Sequence, residues 1–169
     1  SCTGGNIGDI DSLRMISDSL HWAVATPASS KNHRSPLLNE EDILHLVNKM
    51  KDSFPIDQSK IILMGFSGQG AQAWGTAMRN PKIFSGVISS CAHTGSITTF
   101  NPETSQNQAF YIITREDDWN FDHNALFHDI LSSYDIDDTL IITSGEHGIG
   151  SMTETLQGCR WFDRRWRKK

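Results

Sequence analysis

The sequence predicts an α/β fold with a mostly parallel sheet and helices on both of its faces. Three observations point there. Short β-rich runs alternate with helical stretches to the end of the chain, and each run is apolar or β-branched nearly throughout, as strands buried on both faces require. At 169 residues the chain fits a single domain built around one core.

Trp22–Thr26 is the first candidate strand, followed by a loop-like stretch, Pro27–Pro36, rich in Ser, Lys and Asn. Asn39 is placed to cap a helix that opens with Glu40, Glu41 and Asp42, acidic groups that suit a helix N-terminus. Ile43, Leu46, Val47, Met50 and Phe54 then recur at helical spacing until Pro55 stops the helix. Lys60–Gly65 is the second strand, with a helix expected to start near Ser67. Gly86–Ser90 is the third, followed by a second loop, Thr94–Gln108. Phe110–Thr114 is the fourth, leading to a helix near Asp122 that turns Leu126, Phe127, Ile130 and Leu131 inward. Thr139–Thr143 is the fifth. Ser151 with Glu154 forms a capping box for the last helix, which carries Met152, Leu156, Cys159 and Phe162 on one face. Both loops follow strands and so belong at the carboxyl edge of the sheet, where open α/β folds bind their ligands.

Composition narrows the function classes. Net charge is −5, but Arg160, Arg164, Arg165, Arg167, Lys168 and Lys169 gather in the last ten residues, leaving residues 1–159 at −10. An acidic body argues against nucleic acid as the partner, and the basic terminus suits the end of a helix. No stretch approaches the roughly 18 apolar residues of a membrane span, and no charged start with an apolar run marks a secretory signal, which leaves the cytoplasm as the default. Cys2, Cys91 and Cys159 are odd in number and widely spaced, so neither a disulfide framework nor a zinc site is signalled. His123 and His128 are five apart, off the spacing of a helical metal pair, and no metal or cofactor is expected.

The most informative segment runs from Lys60 to Trp74, Lys-Ile-Ile-Leu-Met-Gly-Phe-Ser-Gly-Gln-Gly-Ala-Gln-Ala-Trp. An apolar strand ends in Gly65-Phe66-Ser67-Gly68 and a small-residue helix follows at once. That context makes Ser67 a candidate nucleophile on a sharp strand-to-helix turn, with the Gly68 amide at a helix N-terminus where an oxyanion would form. A simpler reading of the same residues is a helix-capping serine in a glycine-rich turn.

This segment, the run from Glu41 to Asp57 before it and Arg79-Asn-Pro-Lys-Ile-Phe-Ser-Gly-Val-Ile88 after it together resemble the α/β-hydrolase superfamily, its carboxylesterase, phospholipase and polyhydroxybutyrate-depolymerase-like branches most of all. The resemblance spans the chain from the first glycine pair to the final helix. It implies the order serine, acid, histidine, with the acid after the next-but-one strand and the histidine after the last. Arg115-Glu116-Asp117-Asp118-Trp119 is similar to the family's acid turn, with Arg115 where glycine is usual; Asp118 is the candidate acid and Asp117 its close rival. Ser144-Gly145-Glu146-His147-Gly148 is similar to the histidine loop, which makes His147 the candidate base. Ser1-Cys2-Thr3-Gly4-Gly5-Asn6 resembles the loop that supplies a second oxyanion amide, with Thr3 as donor.

Two departures from the family pattern stand out. Gln69 occupies the place where glycine usually follows two residues after the nucleophile, with Gly70 one later. The sequence also opens at the oxyanion loop, so the fold is expected as α/β-hydrolase-like and N-terminally shortened, either with upstream sequence before it or with a sheet that closes differently. The expected activity is hydrolysis of a small-molecule carboxylic ester through Ser67, His147 and Asp118. A peptidase-like serine hydrolase and a non-catalytic binding module on the same fold are the alternatives, and the oligomeric state is open. His93, Trp119 and Phe121, near strand ends, are candidates to line an acyl or alcohol pocket.

Overall fold

Four strands form one parallel sheet in the computed structural model, which describes residues 5–168. In chain order the elements are α1 (Ile7–Ser12), α2 (Arg14–Leu20), α3 (Pro36–Ser53), β1 (Ile62–Phe66), α4 (Gly68–Arg79), β2 (Gly86–Ser90), a 3-10 turn (Thr94–Thr99), α5 (Pro102–Ser105), β3 (Ala109–Asp117), α6 (Phe121–Ser133), β4 (Asp137–Glu146) and α7 (Met152–Arg167). The described residues fall into two compact units: Gln58–Gly150, which holds the whole sheet, and the segments on either side of it.

In the sheet-bearing unit the strand order is β1-β2-β3-β4, every pair parallel. The expected strands within it are present, and two of them run longer than their apolar cores. Arg115–Asp117 and Ser144–Glu146, expected as turns, continue β3 and β4 because the two strands pair with each other beyond the apolar residues, Arg115 opposite Thr143 and Asp117 opposite Glu146 across an irregularity. β2 and the first six residues of β3 are buried throughout. Trp74 on α4, Phe110 on β3 and Phe127 on α6 meet in the core, with ring centroids 4.3 and 5.3 Å from that of Phe127. Phe127 and Leu131 face inward as expected, whereas Leu126 is exposed, one position off the buried stripe. The Thr94–Gln108 stretch is not all loop; it holds the 3-10 turn and the single turn of α5.

In the other unit, α7 starts on its capping box, Ser151 Oγ accepting the Glu154 N–H at 3.2 Å, and buries Leu156, Cys159 and Phe162. It packs against α2, and Trp166 lies 5.1 Å from Trp22. Three expectations are corrected. Trp22–Thr26 is not a strand: Gly5 N–H reaches the Pro27 carbonyl at 3.0 Å, but no ladder forms along the run among the described residues, and a β-rich run without a partner strand has nothing to pair with. Asn39 is not a helix cap, since α3 starts earlier, with Pro36 at its first position; Asn39 is buried, its amide donating to the Lys31 carbonyl and its Oδ1 accepting from Lys31 N–H and Arg34. Finally, α1 and α2 had no place in the sequence reading. Asn6 and Asp9 cap α1 reciprocally, a signal hidden by reading these residues as the end of a glycine loop.

Candidate active site

The parallel register brings the strand ends to one edge, and each strand is followed at once by a residue that meets the others. Ser67 follows Phe66 of β1, Cys91 follows Ser90 of β2, Asp118 follows Asp117 of β3 and His147 follows Glu146 of β4. Ser67 stands at φ 54° and ψ −124°, a conformation L-residues seldom adopt. It is held there from both sides: its N–H donates to the Ser90 carbonyl at 2.8 Å, and its carbonyl accepts the Ala71 N–H at 3.1 Å as α4 begins. The turn needs small neighbours. A Cβ on Gly65 would stand 2.2 Å from the Gln69 carbonyl oxygen, and one on Gly70 would stand 2.8 Å from the Ala92 Cβ. Gln69 is accommodated as a buried helical residue, and Gly70 makes the close approach instead.

Ser67, His147 and Asp118 lie in one hydrogen-bonded line. His147 Nδ1 is 2.7 Å from Asp118 Oδ1, and His147 Nε2 is 3.0 Å from Ser67 Oγ. Burial acts to raise the Asp118 carboxyl, but hydrogen bonds from the Cys91 thiol, the Asn120 N–H and His147, together with the His147 charge, hold it below the ordinary carboxylate value. An ionised carboxylate only accepts, so Nδ1–H donates to it and Nε2 is left to accept from the serine hydroxyl. Asp118 also takes the Asn120 N–H at 2.9 Å and the Thr114 hydroxyl at 3.3 Å. Asp117, its rival in sequence, is exposed at the end of β3 and pairs in register with Glu146. Gly68 is the first residue of α4, where N–H groups have no intrahelical partner. Thr3, the other expected amide donor, lies outside the described residues.

Sequence reasoning missed Cys91, although its place directly after an apolar strand was visible. The residue is fully buried at φ 48°, with its Sγ 3.2 Å from the Gly148 carbonyl oxygen. Burial, then the neighbouring Asp118 carboxylate, pushes its thiol up to about 11. The histidine loop is tied at three successive residues: Gly148 by Cys91, Ile149 through its carbonyl to Arg115 at 3.3 Å, and Gly150 through its N–H to Ser90 Oγ at 2.9 Å. Arg115 also donates to Thr143, so the residue standing where glycine is usual links β3 to β4 and its loop.

Cys91, Asp118 and His147 offer ligand atoms within 4.8 Å of one another. That set fits a metal ion poorly, because the thiol keeps its proton at neutral pH and the carboxylate and imidazole are committed to each other. His123 and His128 go to other partners, Thr94 Oγ1 at 2.6 Å and Asp138. His93 accepts the Gly95 N–H in the 3-10 turn, Phe121 opens α6, and Trp119 lies against His147.

No protein-family model matches the chain, and no curated protein matches its sequence. Solved structures do match. The Pyrobaculum calidifontis esterase superposes at a TM-score of 0.73 over 95% of this chain and 72% of its own, at 15% identity. The chain has the α/β-hydrolase fold. Arabidopsis thaliana SOBER1 matches at a TM-score of 0.63 and 17% identity, over 78% of this chain and 65% of its own. The Pyrococcus horikoshii acylaminoacyl peptidase matches at 0.59 and 16%, over 76% of this chain. The chain thus spans just under two thirds of SOBER1 and 27% of the peptidase. Within the α/β-hydrolase fold, the ends of β1, β3 and β4 are where Ser67, Asp118 and His147 stand. No helix among the described residues is long and apolar enough to cross a membrane.

Proposed function

We propose that this chain is a serine hydrolase that cleaves carboxylic esters by acyl transfer to water. The observation that carries the reading is the line Ser67 Oγ, His147 Nε2, His147 Nδ1, Asp118 Oδ1, with steps of 3.0 and 2.7 Å across the ring. A serine hydroxyl is a poor nucleophile at neutral pH, so His147 takes its proton as Oγ attacks the ester carbonyl. The Gly68 N–H, at the start of α4, is the proposed donor to the developing oxyanion, with the positive end of the helix behind it. As the intermediate collapses, the bond to the alcohol oxygen breaks and that oxygen receives the proton from His147. Water then repeats the sequence on the acyl-enzyme and releases the acid. Asp118 keeps the imidazole in the productive tautomer and stabilises its charged form.

The test is covalent labelling with a fluorophosphonate probe, comparing the chain with Ser67→Ala and His147→Ala and locating the adduct by peptide mass. Labelling confined to the peptide containing Ser67, and lost in both variants, is the expected result. A folded chain that takes no label would instead favour a binding module. The same residues would serve a peptidase, a reading favoured by the fold likeness to the acylaminoacyl peptidase. Turnover of an acyl-amino-acid anilide beside an ester of the same acyl group separates the two.

A further inference from the structure

Trp119 is 74% exposed, yet it is not loose: its indole stacks on the His147 imidazole, with ring centroids 3.8 Å apart and 21° between the planes. Phe66 also borders that imidazole, at 5.0 Å and 38°. The placement of Trp119 follows from its neighbour, since Asp118 is anchored by Asn120, Thr114 and His147. Ile149, two residues beyond His147, is 70% exposed while its own carbonyl is held by Arg115. The Trp119 side chain is therefore held against the imidazole without being buried by the fold, and Ile149 exposes a second apolar side chain two residues beyond that imidazole. A tryptophan packed for stability would be covered; one held by a single stacked partner leaves most of its surface free for another group.

Where that group comes from follows from the proton. His147 Nε2 hands its proton to the departing alcohol oxygen, which requires the two atoms to be about 2.6–3.2 Å apart. Whatever that oxygen carries must then lie near the imidazole, and of the two rings that border the imidazole the exposed one, stacked at 3.8 Å, is the Trp119 indole. We propose that Trp119 forms the leaving-group subsite and selects esters whose alcohol part is aromatic. This rests on the roles given to Ser67 and His147 above. In the step concerned, the Ser67 Oγ–acyl carbon bond forms and the acyl carbon–alcohol oxygen bond breaks. The electron pair leaves on the alcohol oxygen, and the Ser67 proton, carried by His147, ends there.

The test compares kcat/KM for 2-naphthyl acetate and phenyl acetate, which share an acyl group and have leaving alcohols of similar acidity. The naphthyl ester, which offers the larger ring to the indole, is expected to be preferred by up to about 10-fold, the most that one stacked aromatic pair contributes. The preference falls to about one in Trp119→Leu and is largely regained in Trp119→Phe, while the choice between 2-naphthyl acetate and 2-naphthyl butyrate stays as in the unaltered chain. Equal losses on both acetates in Trp119→Leu would overturn the proposal in favour of a residue that only positions His147. A change in acyl-chain choice would overturn it in favour of an acyl subsite. If the fluorophosphonate does not label Ser67, the hydrolase reading fails, and the subsite is judged by 2-naphthol itself. Saturable quenching of tryptophan fluorescence that is lost in Trp119→Leu supports an aromatic subsite, and no binding overturns it.

Discussion

Ser67→Gly should make the protein more stable than Ser67→Ala, by more than glycine's ordinary advantage at a helix start. Both substitutions remove the hydroxyl that meets His147, so that loss cancels between them. What differs is the backbone: at φ 54° and ψ −124° alanine keeps the Cβ that is crowded there, and glycine does not. Residues held in such regions carry about 1–3 kcal/mol of strain. Ser151 supplies the baseline, because it also begins a helix but stands at φ −59° and ψ 158°, where any residue is at ease. Subtracting the glycine-over-alanine difference at position 151 from that at position 67 removes the chain-entropy cost of glycine and its general merit as a cap. The remainder should be about 1–3 kcal/mol in urea denaturation. In thermal melts each 1 kcal/mol moves Tm by about 2–4 °C for a chain of this size. Equal differences at the two positions would refute the claim that the Ser67 turn stores strain.

Further outcomes can be checked with similar means. Asp118→Asn should lower ester turnover by on the order of 10³–10⁴-fold, because an amide no longer fixes the imidazole tautomer, whereas Asp117→Asn, at an exposed site, should change it by about twofold or less. Since the Asp118 carboxyl is held below its ordinary value, its contribution to stability is present at neutral pH and is lost as pH falls through that lowered value. The stability gap between the unaltered chain and Asp118→Asn should therefore narrow in denaturation curves taken from neutral pH downward. Gly65→Ala would drive a Cβ to 2.2 Å from the Gln69 carbonyl oxygen and should cost about 1–3 kcal/mol or more, read as a lower urea midpoint. Cys91 and Cys159, their thiols pushed up to about 11 and about 12 chiefly by burial, should stay unmodified by iodoacetamide in the native protein at neutral pH. Both should react once guanidinium has unfolded the chain, as peptide mapping would show.

The sheet-bearing unit was legible in the sequence because its signals are local. Uninterrupted apolar runs and the glycines and alanines around Ser67 each act over a few residues, and the structure keeps them as β1 to β4 and α4; in the other unit the capping box at Ser151, equally local, is kept as the start of α7. The segments before Gln58 were less legible. Trp22–Thr26 has the composition of a strand, but a strand also needs a partner ladder, and composition says nothing about what lies beside it. Asn39 has the chemistry of a cap, yet the helix starts four residues earlier, and its amide is spent on Lys31 and Arg34.

What the sequence determined by itself was which residue types stand at the ends of which strands: serine after β1, a pair of aspartates where β3 ends, histidine after β4. Only the tertiary structure shows which of Asp117 and Asp118 meets His147: Asp117 is still paired in β3, and Asp118, one residue on, turns toward the imidazole. It also brought in Cys91 beneath the pair and set Trp119 on the imidazole. Contacts of this kind join positions 27 or more apart in the chain, and no local pattern encodes them. The parallel register makes them, by bringing the strand ends to a common edge.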